Sequence, residues 1–451
     1  MIIPLGLGAI EYAEIARLCG TTVPKELVGA RPFRLVTDSR EVESGDLFCA
    51  LRGTDDGHSY IEEAARRGAS AVLAERRTTA PVPHILVPSV RRALGDWAIG
   101  VTGERGLIRL GITGSVGKTT AKDAIATMLS QRFSVHATYG NYNNDLGLPF
   151  TLLSAPRGTK IAVCELGINH KGEMRELSRI LRPHISLITC IGHAHIGAFG
   201  TRDAIAEEKL DILAYAEKEG VLFVPHGESL LSRLLPHGIR RIAVSPFGEA
   251  DYKKNALPSF AGDAARNFAL GYAAAVGRAF SLSEEMITSG LKRILPLETH
   301  RHEERVREML FIDDGYNASP ESMIGALNYL GTKAKGRRVA VLGDMLELGE
   351  SSAEYHRAVG RFAASHTERL FLFGAYAKEY AKGAFSVGKH SPPSAHQADC
   401  DISVLTGEKE EMASKIASSL LSGDTVLFKA SRALQVEKII ELIKNRFLNG
   451  R

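Results

Sequence analysis

The sequence predicts an α/β protein of roughly three domains with largely parallel sheets. Three observations lead to this prediction. The chain has 451 residues, which is more than one ordinary hydrophobic core accommodates. Strand-like and helix-like segments alternate along its whole length. Finally, a glycine-rich turn, GITGSVGKTT at 111–120, lies between an apolar strand and a helix, as phosphate-binding turns of parallel sheets do.

The composition is that of a soluble globular protein, with 44% hydrophobic and 24% charged residues. The net charge of +4 is spread along the chain without a basic tract, which favours small anionic ligands over nucleic acid. The first residues are apolar but lack a basic leader region, and Glu11 and Glu14 interrupt them. No apolar run approaches the ~18 residues of a spanning helix. We therefore expect a cytoplasmic protein that is not inserted in a membrane.

The cysteines support the same compartment. They stand singly, without a C-x-x-C pair or a zinc spacing, so reduced thiols in a reducing cytoplasm are expected. They are Cys19, Cys49, Cys164, Cys190 and Cys400.

Two polar stretches divide the chain into the predicted domains. The first is VTGERG at 101–106, just before an apolar strand, and the second is the charged LPLETHRHEERVRE at 295–308. Boundaries near 103 and 298 follow. The predicted domains are 1–103, 104–298 and 299–451.

The turn at 111–120 has the features of a phosphate-binding loop with an unusual glycine register. The general spacing G-x-x-x-x-G-K-[ST] requires glycine at 112, where this chain has Ile112, and Gly114 takes its place. Helical spacing from Thr119 onward puts the loop at a helix N-terminus, where backbone N–H groups favour phosphate. Lys118 can then reach the β- and γ-phosphates, and the Thr119 hydroxyl can hold Mg²⁺. The alternative is a glycine turn with a chance lysine.

Two further strands end on residues that can bind a metal. The run KIAVCELG ends on Glu165, and ISLITCIGHAHIG ends on His193 and His195. Ligands of α/β sheets bind at the carboxyl ends of the strands. Taken alone, each of these side chains could simply be solvated, but behind a phosphate loop they are interpreted as metal ligands. A guanine-reading N-K-x-D is absent, so the sequence does not favour a GTPase switch.

The stretch TGSVGKTT resembles the phosphate loop of the Mur ligases, whose form is T-G-[STN]-x-G-K-[ST]. Further motifs follow in the order of that family, and the first domain is similar to the UDP-binding domain that two of its members share. Among those members, the chain resembles most the ligase that adds D-alanyl-D-alanine. The segments are TDSREVESGDLFCALRGTDDGHSYIEEAARRGASAVLAE (37–75), GNYNNDLGLPFTLL (140–153), CELGINHKGEM (164–174), ITCIGHAHIGAFGT (188–201), IDDGYNASPESM (312–323), VLGDMLELGE (341–350) and GDTVLFKASR (423–432).

The resemblance implies an N-terminal UDP-binding α/β domain, a central P-loop ATPase-like parallel sheet and a C-terminal Rossmann-like domain. It also implies that ATP and Mg²⁺ drive amide formation between UDP-N-acetylmuramoyl-tripeptide and D-alanyl-D-alanine through an acyl phosphate, in peptidoglycan precursor synthesis. A monomer is expected.

The same resemblance implies roles residue by residue. Asn143 and Asn144 would line the junction between acceptor and γ-phosphate, although an Asn-rich turn is the alternative. Catalytic residues would be Lys118, Lys209, His195, Glu165, Asn143 and Asn144. ATP would be bound by Gly114, Ser115, Val116, Gly117, Lys118, Thr119, Thr120, Asn267, Arg301 and Asp314. Substrates would be bound by Ser39, Arg40, Asn143, Asn144, Tyr316 and Asn317, and the metal by Thr119, Glu165, His195 and Lys209.

Lys209, in DAIAEEKLDI at 203–212, is the least obvious member of this set. A helix is predicted here, and a solvated lysine among Glu207, Glu208 and Asp211 is the alternative. The resemblance implies instead a lysine carbamylated by CO₂, because an ammonium would repel Mg²⁺ whereas a carbamate offers oxygen ligands.

The chain departs from the family pattern at several positions. Gly197 stands where a glutamate is common, and the adenine segment is reduced to AGDAARNFAL, with Asp263 near a missing histidine and Asn267 as the match. Two other functions remain open at this point: a ligase that adds the third amino acid, and a nucleotide-binding relative that no longer ligates.

Overall fold

The computed structural model describes residues 1–248, 251, 263–295, 301–386 and 400–449. Within these residues the chain forms three sheets of five, six and six strands, with helices packed against them, and the predicted three-domain α/β class is confirmed. The predicted boundary near 298 lies outside the described residues. The boundary near 103 falls in the last turn of a helix that ends at Glu104. No helix in the described ranges combines the length and the apolar character that crossing a membrane requires.

The first sheet has the strand order β1-β2-β3-β4-β5, in which only β1 and β2 are antiparallel to each other. Its longest helix begins after Ser89, whose side chain accepts from Arg92 N, and buries Leu94, Trp97 and Val101 along one face. The strands are β1 Ile2–Pro4, β2 Arg34–Val36, β3 Leu47–Cys49, β4 Ala71–Ala74 and β5 His84–Leu86, and the helices are α1 Tyr12–Leu18, α2 Ile61–Arg66 and α3 Val90–Glu104.

The second sheet is wholly parallel, with the order β11-β10-β9-β6-β8-β7. Its central strands are buried apolar runs, as expected for a parallel sheet covered by helices on both faces. The strands are β6 Ile108–Thr113, β7 Val135–Ala137, β8 Ile161–Glu165, β9 Ile185–Ile188, β10 Val221–Pro225 and β11 Arg240–Val244. The helices are α4 Lys118–Leu129, α5 Gly147–Ser154, α6 Glu173–Leu181, α7 Ile196–Phe199, α8 Arg202–Leu210, α9 Ser229–Leu234, α10 Ala264–Ala279 and α11 Glu284–Ile294.

The third sheet has the order β12-β13-β17-β14-β15-β16, and only the β12–β13 pair is antiparallel. The helix after β13 starts with a capping box at Ser319 and with Pro320 in its first turn. The strands are β12 His302–Val306, β13 Met309–Asp313, β14 Arg338–Leu342, β15 Arg369–Leu372, β16 Asp401–Val404 and β17 Thr425–Lys429, and the helices are α12 Pro320–Lys333, α13 Ser352–Ala364, α14 Ala377–Phe385, α15 Lys409–Ser419 and α16 Val436–Asn449.

The strand order of the second sheet brings the predicted site together. Strand β6 lies between β8 and β9, and Ile112 pairs with Glu165 while Thr113 pairs with Ile188. The segments that leave these three strands therefore start at one edge of the sheet.

Backbone hydrogen bonds join the predicted first and second domains. The N–H groups of Gly6 and Leu7 donate to the carbonyls of Leu153 and Ala155 at the end of α5. A Cβ on Gly6 would lie only 2.0 Å from the Ala155 carbonyl oxygen, so glycine is required for this approach.

Candidate functional site

The phosphate loop between β6 and α4 explains the glycine register of the sequence. Gly114 has φ +146°, and a Cβ there would lie 1.8 Å from Thr189 Oγ1, so no side chain fits. Gly117 is left-handed, with φ +80°, at the N-cap of α4. Both glycines adopt backbone conformations that other L residues rarely adopt. The loop therefore leads directly into the start of a helix.

The segment after β9 braces this loop. Thr189 Oγ1 donates to Val116 O at 2.6 Å, Ser115 N donates to Cys190 O at 3.0 Å, and Gly192 N donates to Ser115 Oγ at 2.8 Å. Both the N–H and the hydroxyl of Ser115 therefore hold the loop in shape. Thr189 and Cys190 were not among the predicted site residues, because their role depends on strand order rather than on a local motif.

The reactive end of the loop lies in the first turn of α4. Lys118 Nζ donates to Gly114 O at 2.9 Å, so its ammonium lies over the loop. The next residue, Thr119, donates its hydroxyl to Glu165 Oε2 at 2.7 Å. Thr120 is half-buried in the same turn.

Glu165 is the centre of the predicted cluster. Its side chain is 4% exposed, and its second oxygen, Oε1, accepts from Asn143 Nδ2 at 3.0 Å. Thr119, Glu165 and Asn143 are thus brought together as predicted. Asn144 makes different contacts: its Oδ1 accepts from Leu146 N and Gly147 N at the start of α5. Its side chain thus supports the turn before that helix.

Lys209 is buried on α8 with a side chain only 2% exposed, so the solvated alternative is wrong. Its ammonium forms no hydrogen bond or ion pair with any residue of the described ranges. Burial, reinforced by the positive charge of Lys118, lowers the pKa of Lys209 to about 7. This is the environment of an amine that is partly neutral at physiological pH.

Glu208, which the sequence analysis did not select, fixes the helix that carries Lys209. Its two carboxylate oxygens accept from Gly172 N and Met174 N, each at 2.8 Å, at the start of α6. A carboxylate at a helix N-terminus is favourable because it satisfies free N–H groups and complements the helix dipole.

The histidines after β9 face the third domain. His195 Nδ1 lies 2.6 Å from Glu347 Oε2, and this hydrogen bond lowers the pKa of Glu347. His193 contacts Glu321 through both its ring Nδ1 and its backbone N–H. In the described part of the chain, no hydrogen bond or ion pair joins His195 to the Thr119–Glu165 cluster.

Arg301 and Asp314 lie together at the junction of the second and third domains. Arg301 reaches Asp314 Oδ2 and Asp263 Oδ2, both at 3.2 Å, and its guanidinium lies 4.0 Å from the Tyr329 ring centre. Lys429, which the sequence analysis quoted only within a motif, is buried here with Nζ 3.1 Å from Asp314 Oδ1, and burial lowers its pKa. The cluster joins two charges of each sign, which suits contacts to ribose hydroxyls and phosphate.

The other predicted site residues of the second and third domains are Asn267, Tyr316 and Asn317, and each makes different contacts. Asn267 is on α10, and its carbonyl accepts from Phe247 N at 2.9 Å. Tyr316 is exposed, with the Arg432 guanidinium 5.2 Å from its ring centre. The side-chain oxygen Oδ1 of Asn317 accepts a hydrogen bond from Ala318 N.

Ser39 and Arg40 follow β2 in the first domain. Ser39 Oγ donates to Glu63 Oε2 at 2.5 Å and is buried. Arg40 is 79% exposed, and its guanidinium forms a fork with both oxygens of Asp38, which lowers the pKa of that carboxyl well below its usual range. An exposed, oriented guanidinium is suited to a phosphate ligand.

The donors beside the phosphate loop fit Mg²⁺. The hydroxyl of Thr119 and the carboxylate of Glu165 are hard oxygen ligands in contact with each other. Within the described ranges, no three His, Cys, Asp or Glu side chains are grouped as a metal-binding set.

Comparison with known proteins gives matches over most of the chain. Family models described as Mur ligase family, catalytic domain, as Mur ligase middle domain, and as Mur ligase, glutamate ligase domain match residues 34–101, 112–265 and 299–434. A UDP-N-acetylmuramoyl-tripeptide--D-alanyl-D-alanine ligase of Bacillus subtilis (strain 168) is 33% identical over 435 residues, which cover 90% of this chain and 92% of that protein.

Solved structures agree with the sequence comparison. MurF from Acinetobacter baumannii superposes with a TM-score of 0.83 at 26% identity and covers 97% of this chain and 100% of its own. MurF ligase from Thermotoga maritima, solved in complex with ADP, has a TM-score of 0.77 at 26% identity and covers 92% of this chain and 98% of its own.

Proposed function

The chain belongs to the Mur ligase family, and we propose that it is the ATP-dependent ligase that joins D-alanyl-D-alanine to UDP-N-acetylmuramoyl-tripeptide. The observation that carries this function is the match over nine tenths of the chain to a ligase of that name. The geometry supports it, because Lys118 and the Thr119–Glu165 pair lie at a helix N-terminus, where free backbone N–H groups favour phosphate.

The reaction needs a leaving group better than oxide on the acceptor carboxylate. The carboxylate oxygen attacks the γ-phosphorus of ATP, the bond to ADP breaks, and an acyl phosphate forms. The amine of D-alanyl-D-alanine then attacks the carbonyl carbon, phosphate leaves, and the amine loses its proton. Positioning and charge neutralisation supply most of the acceleration of such phosphoryl transfer.

The residues of the second domain would act on the transferred phosphoryl group. The Lys118 ammonium would stabilise charge on the β- and γ-phosphates, and the N–H groups at the start of α4 would bind the phosphate oxygens. Asn143, held by Glu165, would orient the acceptor carboxylate beside the γ-phosphate. Thr119, Glu165, His195 and a carbamylated Lys209 would hold Mg²⁺, which neutralises phosphate charge when bound.

The third domain would complete the nucleotide site. Arg301 and Asp314 would contact phosphate and ribose, and Asn267 would contact adenine. Tyr316 and Asn317 would bind substrate at the same junction. Docking of this domain over the second would exclude water from an acyl phosphate that otherwise hydrolyses.

The substrates and the thiols of the protein support a proposal for the compartment in which it acts. The described cysteines are all free thiols, which agrees with a reducing compartment. We propose that the protein acts as a monomer in the cytoplasm, where ATP and a nucleotide-linked precursor are both available.

The first prediction concerns Arg40 and the UDP-linked acceptor. Arg40→Ala is expected to raise KM for the acceptor about tenfold or more, because a forked contact to phosphate is lost in ground and transition states alike. The KM values for ATP and D-alanyl-D-alanine should stay nearly unchanged. Steady-state kinetics with each substrate varied in turn measures this effect.

Arg66→Ala is the matched control, because Arg66 is an exposed arginine of the same domain and forms no ion pair within the described residues. It should leave all three KM values unchanged. A rise in KM for ATP equal to that for the acceptor in Arg40→Ala would place Arg40 at a different ligand.

The proposed function itself is tested by phosphate release together with product mass. Purified protein, ATP, Mg²⁺ and UDP-N-acetylmuramoyl-tripeptide should release phosphate rapidly only when D-alanyl-D-alanine is present. Mass spectrometry should show the acceptor heavier by one D-alanyl-D-alanine less water. Ligation of a single amino acid to the dipeptide acceptor, or no product with any amine, would contradict the function.

A further inference from the structure

The segment 192–197 is held by two carboxylates of the third domain. Glu321 binds the ring and the backbone N–H of His193, and Glu347 lies 2.6 Å from Nδ1 of His195. Glu321 and Glu347 come from different parts of their domain, the first turn of α12 and the segment after β14. The segment is therefore held at two histidines on one side of the domain junction.

The backbone places Glu347 against this segment with little freedom. Gly197 N donates to Glu347 O at 2.9 Å, and both Glu347 and His195 have left-handed backbones, with φ of +65° and +64°. Left-handed backbones are costly for side chains larger than glycine, so they persist where the surroundings determine them. The Glu347 carboxylate thus reaches His195 from a fixed backbone position.

Gly197 and Gly349 make this approach possible. A Cβ on Gly197 would lie 2.6 Å from Gly349 N, and a Cβ on Gly349 would lie 2.7 Å from Gly197 Cα. Any side chain at either position would push the two segments apart. The glycine at 197, which departs from the resemblance noted in the sequence, is therefore matched by a glycine in the third domain.

We propose that Glu347 is a positioning residue that orients His195 for metal binding when the third domain is docked. An ionised carboxylate only accepts, so the proton of His195 lies on Nδ1 and the lone pair of Nε2 is available to a metal. Carboxylates that accept from the second nitrogen of a ligating histidine fix its tautomer and ring orientation. The inference rests on the proposed role of His195 at the metal.

The contact between Glu347 and His195 contributes little to folding stability. Glu347 is 61% exposed, and exposed ion pairs contribute little to folding stability. Glu347→Ala should therefore leave the melting temperature nearly unchanged while altering the metal site. This separates a positioning role from a merely structural one.

The test measures Mn²⁺ affinity by the free-ion EPR signal at saturating ADP, together with kcat of ligation. Glu347→Ala should weaken Mn²⁺ binding and lower kcat by about tenfold or more, the usual effect of removing such a partner. Glu347→Gln should restore both to within about threefold, because the amide oxygen still accepts from Nδ1 through a weaker, uncharged bond. Glu350→Ala is the matched control, since Glu350 lies on the same segment and makes no ion pair in the described chain.

Gly197→Ala tests the part played by domain docking. It keeps the side chains of His195 and Glu347, and alanine suits a helical position, so the expected disturbance is to the close approach of residue 197 to the Glu347 carbonyl and to Gly349. It should weaken Mn²⁺ binding in the same direction as Glu347→Ala. Wild-type Mn²⁺ affinity in Gly197→Ala would overturn the coupling to docking.

His195→Ala separates this inference from the proposed function. If His195→Ala weakens Mn²⁺ binding and Glu347→Ala does not, the metal role of His195 stands and the positioning role of Glu347 is overturned. If His195→Ala binds Mn²⁺ like the wild type, both are overturned. An equal loss in Glu347→Gln and Glu347→Ala also contradicts the inference, because the glutamine keeps the hydrogen-bond acceptor.

Discussion

Lys118→Ala is expected to lower kcat of ligation by at least ~10²-fold, the scale of removing one preorganised electrostatic contact. The ammonium lies 2.9 Å from Gly114 O, directly over the loop that would hold the triphosphate. Negative charge moves from the γ-phosphoryl group to ADP during transfer, and the lysine is the cation placed to stabilise it. The variant should still fold, because Lys118 is only half-buried and the one hydrogen bond of its side chain within the described residues is to the loop itself.

The rate of ADP formation in a single turnover, measured by quenched flow, reports the effect of this substitution on the chemical step. Lys160→Ala is a suitable control, because Lys160 is an exposed lysine that precedes β8 and lies outside the proposed site. If Lys118→Ala kept half of the wild-type rate, the assignment of the phosphate loop would be wrong.

The phosphate loop could be predicted because its determinants are local. The ten residues 111–120 contain the strand end, both glycines, the lysine and the helix start, and the structure keeps them in that order. The shift of the first glycine to Gly114 has a cause that the sequence hides. Thr189 occupies the space a Cβ would need, and it follows β9, which is distant from the loop in the chain.

The cluster of Thr119, Glu165 and Asn143 was predictable for a different reason. Strand ends of a parallel sheet meet at one edge, so residues after β6 and β8 come together whatever their separation in sequence. Asn144 shows the limit of that argument. Asn143 donates to Glu165 whereas the adjacent Asn144 accepts from Gly147 N, and only the backbone geometry of the turn decides which side chain makes which contact.

The carboxylates Glu208, Glu321 and Glu347 were not predicted. Each acts on a residue of another element, and the contacts of Glu208 and Glu321 span 36 and 128 residues of chain. Acidic residues are common on helix surfaces, so nothing in their local pattern separates these three from solvated ones. The backbone hydrogen bonds of Gly6 and Leu7 with the end of α5 were also not predicted, because they join segments that are distant in the chain.

Lys209→Ala is expected to be nearly inactive and to recover partly with acetate. The surrounding acids suggested a solvated lysine, yet the structure buries the side chain, and its ammonium forms no ion pair with any acid of the described residues. With its pKa lowered to about 7, a large fraction of the amine is neutral at physiological pH and can attack CO₂. The N–C bond forms, a proton is lost, and the resulting carbamate carries the negative charge that a site for Mg²⁺ requires.

Several comparisons make this result specific. Acetate or formate should restore activity to Lys209→Ala in a saturable manner, because a small carboxylate can replace the lost oxygens, whereas chloride at equal ionic strength should not. Acetate should not restore Lys118→Ala, because that variant lacks a cation rather than a carboxylate. Lys218→Ala, at an exposed lysine nearby in the chain, should behave like the wild type.

Removal of CO₂ supplies an independent test of the wild-type protein. Activity should fall reversibly in degassed, bicarbonate-free buffer, since the carbamate dissociates when CO₂ is withdrawn, and ¹³CO₂ should give a carbamate carbon signal that Lys209→Ala lacks. Full activity of Lys209→Ala without additive would remove Lys209 from the site. An unmodified lysine in a crystal structure with Mg²⁺ and nucleotide bound would do the same, because a buried ammonium there would oppose the metal it is proposed to hold.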